Sequence, residues 1–295
     1  MHLRRHLPHY LMIAPFMLLF AIFFLFPILS GFYYSFNDWN AVQPAKFVGL
    51  ANYQKIIASR DFARSMWNLG TYIVITVPLG ILVALGLALL VDNFTGRWAH
   101  VFRGAYFLPV VLPSFLAATI WRWIYAPNFG LLNMMLGWFG MPSVNFLNNT
   151  GSMIYCLIAV DVWASAGFNM IILLAGLKNI PTELYEAARL DGASKWQQII
   201  HITIPMLGPV LFFVVTYGLI SAMQVFDKPW LLTGSSFTTY GGRGNALLFP
   251  VMDMMGRGFG AVKFGEAAAY GFLLTLAIVM VTALMFVLRS WSDRR

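Results

Sequence analysis

The stretch ELYEAARLDGASKWQQIIHITIPML, Glu183–Leu207, is polar and helix-prone within a chain that is otherwise strongly apolar. Hydrophobic residues occupy 60% of the 295 positions, charged residues occupy only 10%, and the mean hydropathy is +0.73. Soluble domains carry about 25% charged residues. The composition therefore indicates an integral membrane protein, in which this stretch is one long polar segment between apolar runs.

Six runs are apolar and long enough to cross a bilayer, which requires about 20 residues per helix. Because backbone groups in lipid must be hydrogen-bonded within their own segment, each run is predicted to be helical. The sequence thus predicts an all-α membrane protein with one transmembrane domain over residues 1–295. The predicted spans are Leu11–Phe36, Leu69–Val91, Ala105–Tyr125, Met153–Leu177, Met206–Asp227 and Ala267–Leu288.

The distribution of basic residues predicts that both termini are cytoplasmic. Residues 1–10, 92–104, 178–205 and 289–295 hold ten Lys and Arg in 58 positions. The other connecting segments, residues 37–68, 126–152 and 228–266, hold eight in 98. Lys and Arg accumulate on the cytoplasmic side of membrane proteins. Residues 178–205, hereafter the polar segment, are therefore predicted to face the cytoplasm.

Two short helices are predicted within the polar segment. Pro181 and Thr182 start the first helix, since proline is tolerated in a first turn. This helix is predicted to end at Leu190, because Gly192 is typical of a left-handed C-terminal cap. Residues 52–68 are predicted to form a further amphipathic helix, on the opposite side of the membrane.

The second helix of the polar segment is predicted to start at Ser194. Ser194 and Gln197 match the S-x-x-Q capping box, in which the two side chains satisfy each other's backbone amides. Pro205 is predicted to interrupt or kink this helix where the fifth span begins. Two short helices with a thin alanine face suit docking to another protein. An amphipathic loop helix resting on lipid headgroups is the alternative.

Enzymatic chemistry is not expected from this chain. The sequence shows no catalytic constellation and no clustered nucleophile or metal set, and the single cysteine, Cys156, is predicted to be a buried apolar residue. The chain has no G-x-x-x-x-G-K-[ST] phosphate loop, and Gly256–Gly265 is predicted to be an outer loop instead. Neither a cofactor nor a metal is expected, and the net charge of +8 shows no basic stripe for nucleic acid. A self-contained secondary transporter for a small polar solute is the alternative function.

The sequence EAARLDGAS is followed, after a short helix, by ITIPML, which places Glu186-Ala187-Ala188, Gly192 and Ile204-Pro205 at a specific spacing. This arrangement resembles the EAA motif of ABC importer permeases. Three further stretches are similar to the carbohydrate-uptake branch of that family, and the resemblance covers about residues 10–290. The three stretches are FVGLANY (Phe47–Tyr53), FLPVVLPSFLAATIWRWIYAPNFGLLN (Phe107–Asn133) and VFDKPWLLTG (Val225–Gly234).

The resemblance implies a six-helix type I importer core in a bacterial or archaeal plasma membrane. It further implies a second, different permease, two ATPase subunits that bind ATP and Mg²⁺, and an extracytoplasmic sugar-binding protein. The polar segment would dock into the ATPase and transmit its closure. The residues to which the resemblance assigns this coupling are Glu186, Ala187, Ala188, Arg189, Asp191, Gly192 and Pro205.

Polar residues inside spans are costly and mark candidate solute pathways. Asp161, Ser165 and Phe168 share one face of the fourth span, and the resemblance places them where maltose-type permeases line the sugar site. Further pathway candidates are Ser114, Gln224 and Asp227. Two structural alternatives stay open: Asp161 could pair with a base from another helix, such as Arg122, and Asp227 could pair with Lys228. The sugar is unspecified, although the absence of an intramembrane Arg pair favours a neutral one.

Overall fold

Helices form almost all of the regular structure in the computed structural model, which describes residues 12–94 and 96–292. A two-stranded antiparallel ribbon, β1 (Asn37–Asp38) and β2 (Lys46–Phe47), follows the first helix. The helices are α1 (Met12–Ser35), α2 (Ala51–Ile57), α3 (Arg60–Asp92), α4 (Gly96–Val111), α5 (Ser114–Ile124), α6 (Leu131–Trp138), α7 (Met153–Lys178), α8 (Thr182–Leu190), α9 (Lys195–Met206), α10 (Gly208–Met223), α11 (Asp227–Thr233), α12 (Pro250–Met255) and α13 (Phe264–Ser292).

Four of the described helices, α1, α3, α7 and α13, are individually long and apolar enough to cross a membrane. Two bent pairs, α4 with α5 and α9 with α10, bring the number to six if each pair is one span. The prediction of an all-α protein with up to six spans is confirmed among the described residues. The third and fifth spans differ from the simple helices that were predicted, because α4 and α5 meet at 97° and α9 and α10 at 71°.

Both bends coincide with two prolines spaced four residues apart. Pro113 cannot donate a hydrogen bond to the Pro109 carbonyl, and Pro209 cannot donate one to that of Pro205, so the helical ladder is interrupted at each place. The second bend falls at Leu207, two residues beyond the predicted kink at Pro205. The prediction considered Pro205 alone, whereas the ladder fails between the two prolines.

Helix α7 is the centre of the bundle, since most of its apolar window is buried while that of α1 holds no buried residue. Its main neighbours are α3 and α4. A Cβ atom on Gly167 would overlap the backbone carbonyl of Tyr106 in α4, so only glycine permits this contact. The close approach of α4 to α7 fixes one wall of the cavity described below.

The buried side chains form separate clusters towards the two ends of the bundle. One cluster joins the first half of α7, through Met153 and Leu157, to α3 through Leu69 and Tyr72. The other joins the second half, through Met170, Leu173 and Leu177, to the last turns of α3. The polar segment extends from the end that holds the second cluster.

Two segments at the end opposite the polar segment contain more helix than was predicted. Residues 52–68 form two helices separated at Ala58 and Ser59, and the second one, α3, continues without a break into the span. The glycine-rich stretch predicted to be a loop is partly helical, since a π-helical turn, Gly256–Gly260, extends α12.

Arg257 in that turn holds several elements together. It binds Asp253 at 3.2 Å, Glu266 at 3.3 Å and the Ser59 hydroxyl at 2.9 Å. Burial raises the pKa of the Asp253 carboxyl above its ordinary value, against the opposing effect of Arg257. Burial raises the pKa of Tyr240 to about 12, with a smaller contribution from the negative charge of Asp253. This network gives Gly256–Gly260 a helical conformation that its glycines alone would not favour.

Candidate functional site

A cavity of about 520 Å³ lies between α3, α4, α5, α7 and α10, and the segment that joins α10 to α11 lines it as well. Its size falls within the range of about 300–1,000 Å³ typical of small-molecule sites. The polar lining residues among those described are Tyr72, Thr76, Ser114, Asp161, Ser165, Asn169, Tyr217, Ser221, Gln224, Asp227 and Lys228.

All six residues predicted for the solute pathway line this one cavity. Asp161, Ser165 and Phe168 contribute from α7, in agreement with the helical face inferred from their spacing. Ser114 contributes from the start of α5, and Gln224 and Asp227 flank the break between α10 and α11. The structure thus brings together residues that are up to 113 positions apart in the sequence. Their role in solute binding stays a prediction.

Asp161 is the buried charge of the cavity, with 9% of its side chain exposed. Its Oδ2 accepts a hydrogen bond of 2.6 Å from the Tyr72 hydroxyl in α3. Its Oδ1 accepts a hydrogen bond from the Lys228 ammonium, with which it forms an ion pair. The base that reaches Asp161 is therefore Lys228, and the suggestion of Arg122 is wrong because the Arg122 guanidinium lies beside Gly234.

Asp227 is held separately from the neighbouring lysine. Its Oδ2 accepts a hydrogen bond of 2.7 Å from the Ser114 hydroxyl, which links α11 to the start of α5. The alternative in which Asp227 pairs with Lys228 is wrong, since Lys228 turns towards α7. Helix α11 starts at these two residues, and their side chains engage two different helices of the cavity wall.

An aromatic pair and several hydroxyls complete the wall. The rings of Phe168 and Tyr217 lie with centroids 5.4 Å apart, one from α7 and one from α10. Ser165 donates a hydrogen bond to the backbone carbonyl of Asp161 at 2.8 Å. The buried Thr76 hydroxyl has no hydrogen-bond partner in the described part of the chain. Aromatic faces beside carboxylates and hydroxyls match the chemistry of a polyhydroxylated solute, which presents both C–H faces and O–H groups.

Sequence reasoning missed Tyr72 and Lys228 as partners of Asp161. Tyr72 lies in a stretch that was considered only for its hydropathy, and Lys228 was considered only as a partner of Asp227. A buried carboxylate requires compensating donors, and this requirement could have prompted a search for them. The 89 residues between Tyr72 and Asp161 gave no local signal that would identify the partner.

The polar segment has the local structure that its capping residues predicted. Helix α8 spans Thr182–Leu190, and Gly192 adopts a φ of +82°. The Ser194 amide donates to Gln197 Oε1 at 2.7 Å, and the Gln197 amide donates to Ser194 Oγ at 3.3 Å. These two bonds form the predicted capping box at the start of α9.

The predicted coupling residues lie on the surface of this segment. No residue of α8 is buried, and Glu186, Arg189 and Asp191 form no ion pair with any described residue. One contact fixes α8 to α9, a hydrogen bond of 2.9 Å between the hydroxyls of Tyr185 and Thr203. Beyond it, Leu190 is 90% exposed and Trp196 is 69% exposed. The segment presents both charged and apolar groups that are free to contact another protein.

A bundle of helices long and apolar enough to cross a membrane, arranged around a polar-lined cavity, is typical of membrane transport proteins. The sequence matches the family described as binding-protein-dependent transport system inner membrane component, over residues 76–295. The chain belongs to this family. It is accordingly a permease of the ABC transporter type, an integral membrane transport subunit rather than an enzyme.

Three relatives match 76% or more of the chain. A probable ABC transporter permease of Pyrococcus horikoshii is 33% identical over 96% of this chain and 94% of its own length. The arabinooligosaccharide transport system permease of Bacillus subtilis is 33% identical over 92% and 85%. The trehalose/maltose transport system permease of Thermococcus litoralis is 34% identical over 76% of each chain. These relatives place the chain in the carbohydrate-uptake branch of ABC permeases.

A solved structure has the same fold. It is a chain of a bacterial ABC transporter involved in the import of the acidic polysaccharide alginate, with a TM-score of 0.85 and 23% identity. The superposition covers 97% of this chain and 96% of the other. A second structure of the alginate transporter, in complex with a periplasmic protein bound to an alginate pentasaccharide, has a TM-score of 0.83 at 22% identity. At this level of identity the likeness establishes the fold.

Proposed function

We propose that this chain and a second permease subunit together form the pathway for a di- or oligosaccharide, which an extracytoplasmic binding protein delivers. The observation that carries the proposal is the convergence of Asp161, Asp227, Ser114 and the Phe168–Tyr217 ring pair on one cavity. Hydroxyl groups of a sugar bind to carboxylates and hydroxyls, and its C–H faces pack on aromatic rings. The names of the oligosaccharide and disaccharide permeases among the relatives support the same class of solute.

The polar segment supplies the proposed connection to ATP hydrolysis. Because Glu186, Arg189 and Asp191 are exposed and have no ion-pair partner in the described chain, they are available to a cytoplasmic ATPase. Two such ATPase subunits would bind ATP and Mg²⁺. The Tyr185–Thr203 contact anchors α8 to α9, so a force on α8 would pass through α9 to α10 and the cavity wall.

Reconstitution tests the proposal directly. The chain, its partner permease and the ATPase subunits are placed in liposomes, and uptake of labelled di- and oligosaccharides is measured with the binding protein and ATP. We expect uptake only with the full set of subunits. Sugar uptake by this chain alone, without an ATPase, would contradict the proposal and favour a self-contained transporter.

Substitutions in the polar segment test the coupling step. We expect Glu186→Ala to weaken association with the ATPase, and Gly192→Pro to disrupt the joint, since proline cannot adopt a φ of +82°. Both variants should insert and assemble in the membrane but lose sugar-stimulated ATP hydrolysis. Fully retained ATP-driven uptake in both variants would rule out the docking role.

A further inference from the structure

The charged side chains that line the cavity include more acids than bases. Among the described lining residues, Asp161 and Asp227 are acidic and Lys228 is the one base, which gives a formal charge of −1. An ammonium group at a cavity wall would ordinarily attract an anionic solute. Whether this cavity accepts sugar acids and sugar phosphates therefore depends on how fully Lys228 is neutralised.

Lys228 is neutralised by a carboxylate that is itself held in place. Asp161 is nine-tenths buried, and Tyr72 donates to one of its oxygens at 2.6 Å while Lys228 occupies the other. The tyrosine fixes the carboxylate so that its second oxygen faces the ammonium. About 20% of the Lys228 side chain stays exposed, and an ammonium has three donors, only one of which is used here.

We infer that the Tyr72–Asp161–Lys228 cluster makes the cavity selective for neutral sugars over anionic ones. This inference rests on the proposed function, since it takes the solute to be a sugar. A neutral hydroxyl can accept a hydrogen bond from the spare Lys228 donors and donate one to Asp227. A carboxylated or phosphorylated sugar would meet a cation that is already paired, together with two fixed negative charges at short range.

Substituting one member of the cluster changes the formal charge of the cavity lining in a predictable direction. Asp161→Asn leaves the size of the side chain unchanged but deprives Lys228 of its counter-charge, so the lining charge rises from −1 to 0. Lys228→Met lowers it to −2, and the double substitution returns it to −1 without either partner. Selectivity for neutral sugars should therefore be lost in Asp161→Asn and regained in the double variant.

The experiment measures solute binding to the assembled transporter without its binding protein, so that the selectivity of the latter does not contribute. Saturation-transfer NMR on the complex in nanodiscs compares trehalose with trehalose 6-phosphate and maltose with digalacturonate. We expect the wild type to favour the neutral member of each pair, and Asp161→Asn to shift the ratio of affinities by about tenfold or more towards the anion.

A control substitution separates the effect of charge in the cavity from the effect of charge elsewhere in the bundle. Asp92 in α3 pairs with Lys178 in α7 at 2.5 Å, and neither residue lines the cavity. Asp92→Asn therefore removes a carboxylate from an interhelical ion pair, as Asp161→Asn does, but outside the cavity. It should keep the wild-type affinity ratio.

The outcomes that overturn the inference are specific. An unchanged ratio in an assembled Asp161→Asn complex overturns it, as does a wild type that binds both members of each pair equally or binds neither. If Asp161→Asn does not assemble, Tyr72→Phe is tested instead. It removes a hydrogen bond that positions the carboxylate but leaves no charge unpaired. It should shift the ratio of affinities towards the anion by a smaller factor. If the wild-type complex takes up sugar but these variants keep the wild-type ratio of affinities, this inference alone is removed, whereas absence of all sugar uptake by the complete wild-type complex would remove the proposed function.

Discussion

The cavity and the polar segment are built in opposite ways. Around the cavity, each charged side chain that the sequence singled out is tied to another helix: Asp161 to α3 and α11, and Asp227 to α5. In the polar segment, Glu186, Arg189 and Asp191 are exposed and have no ion-pair partner among the described residues. The local backbone of that segment is nonetheless well defined, by a capping box and a left-handed glycine.

This difference indicates where each region obtains its order. The cavity depends on packing between helices that are distant in sequence, so a substitution there should alter the stability of the whole bundle. The polar segment depends on local hydrogen bonds, so a substitution on its surface should alter interactions with partners while stability is retained. Four predictions examine this contrast, in decreasing order of their effect on the free energy of unfolding.

The largest effect is expected from Gly167→Val in α7. Any side chain at this position overlaps the Tyr106 carbonyl, so α4 would have to move away from α7. We expect a loss above about 4 kcal/mol, observed as loss of monodisperse permease in size-exclusion chromatography. Gly86→Val in α3, where no atom lies within 4 Å of the added Cβ, is the control and should cost about 1 kcal/mol or less. Equal yields of the two variants would show that the α4–α7 contact is dispensable.

The same substitution at two leucines compares the regions directly. Leu173 is fully buried between α7 and α3, whereas Leu190 is 90% exposed at the end of α8. Leu173→Ala should destabilise the protein by about 2–5 kcal/mol, and Leu190→Ala by less than about 0.5 kcal/mol. Thermal unfolding of the purified chain measures both. A Leu190→Ala variant as unstable as Leu173→Ala would mean that the polar segment belongs to the core.

Tyr72→Phe should have an intermediate effect. It removes the 2.6 Å hydrogen bond to the Asp161 carboxylate and leaves the ring in place. Hydrogen bonds to charged groups contribute about 1.5–3 kcal/mol. Tyr125→Phe, which removes a 3.0 Å bond to the Cys156 backbone carbonyl, is the comparison and should cost about 0.5–1.5 kcal/mol. If both variants melt alike, the carboxylate does not depend on Tyr72.

The smallest effect is expected from Ser194→Ala at the start of α9. The substitution removes the side-chain acceptor of the capping box, and N-cap losses of this kind cost about 1 kcal/mol. Because the box is local, the loss should appear as faster amide exchange in α9 with little change in the exchange of α7. Ser194→Asn, which keeps an N-cap acceptor, should behave as the wild type. Equal loss of protection in both helices would contradict a local role.

Much of the fold followed from patterns along the chain. Apolar runs identified all six regions that could span the membrane, and Gly192 and Ser194–Gln197 identified the two helices of the polar segment. The bends were only half predicted. The prediction used Pro205 but not the spacing of Pro109 with Pro113 or of Pro205 with Pro209. Two prolines four residues apart remove two ladder bonds one turn apart.

The sequence by itself determined the class of protein, its spans and the local form of the polar segment. These features depend on hydropathy and on hydrogen bonds between residues at most a few positions apart. Only the tertiary structure decided that Asp161 pairs with Lys228 and Tyr72, and that Asp227 turns to Ser114 instead of its neighbour. A buried carboxylate requires donors wherever the fold supplies them, and no pattern along the chain indicates which distant helix will provide them.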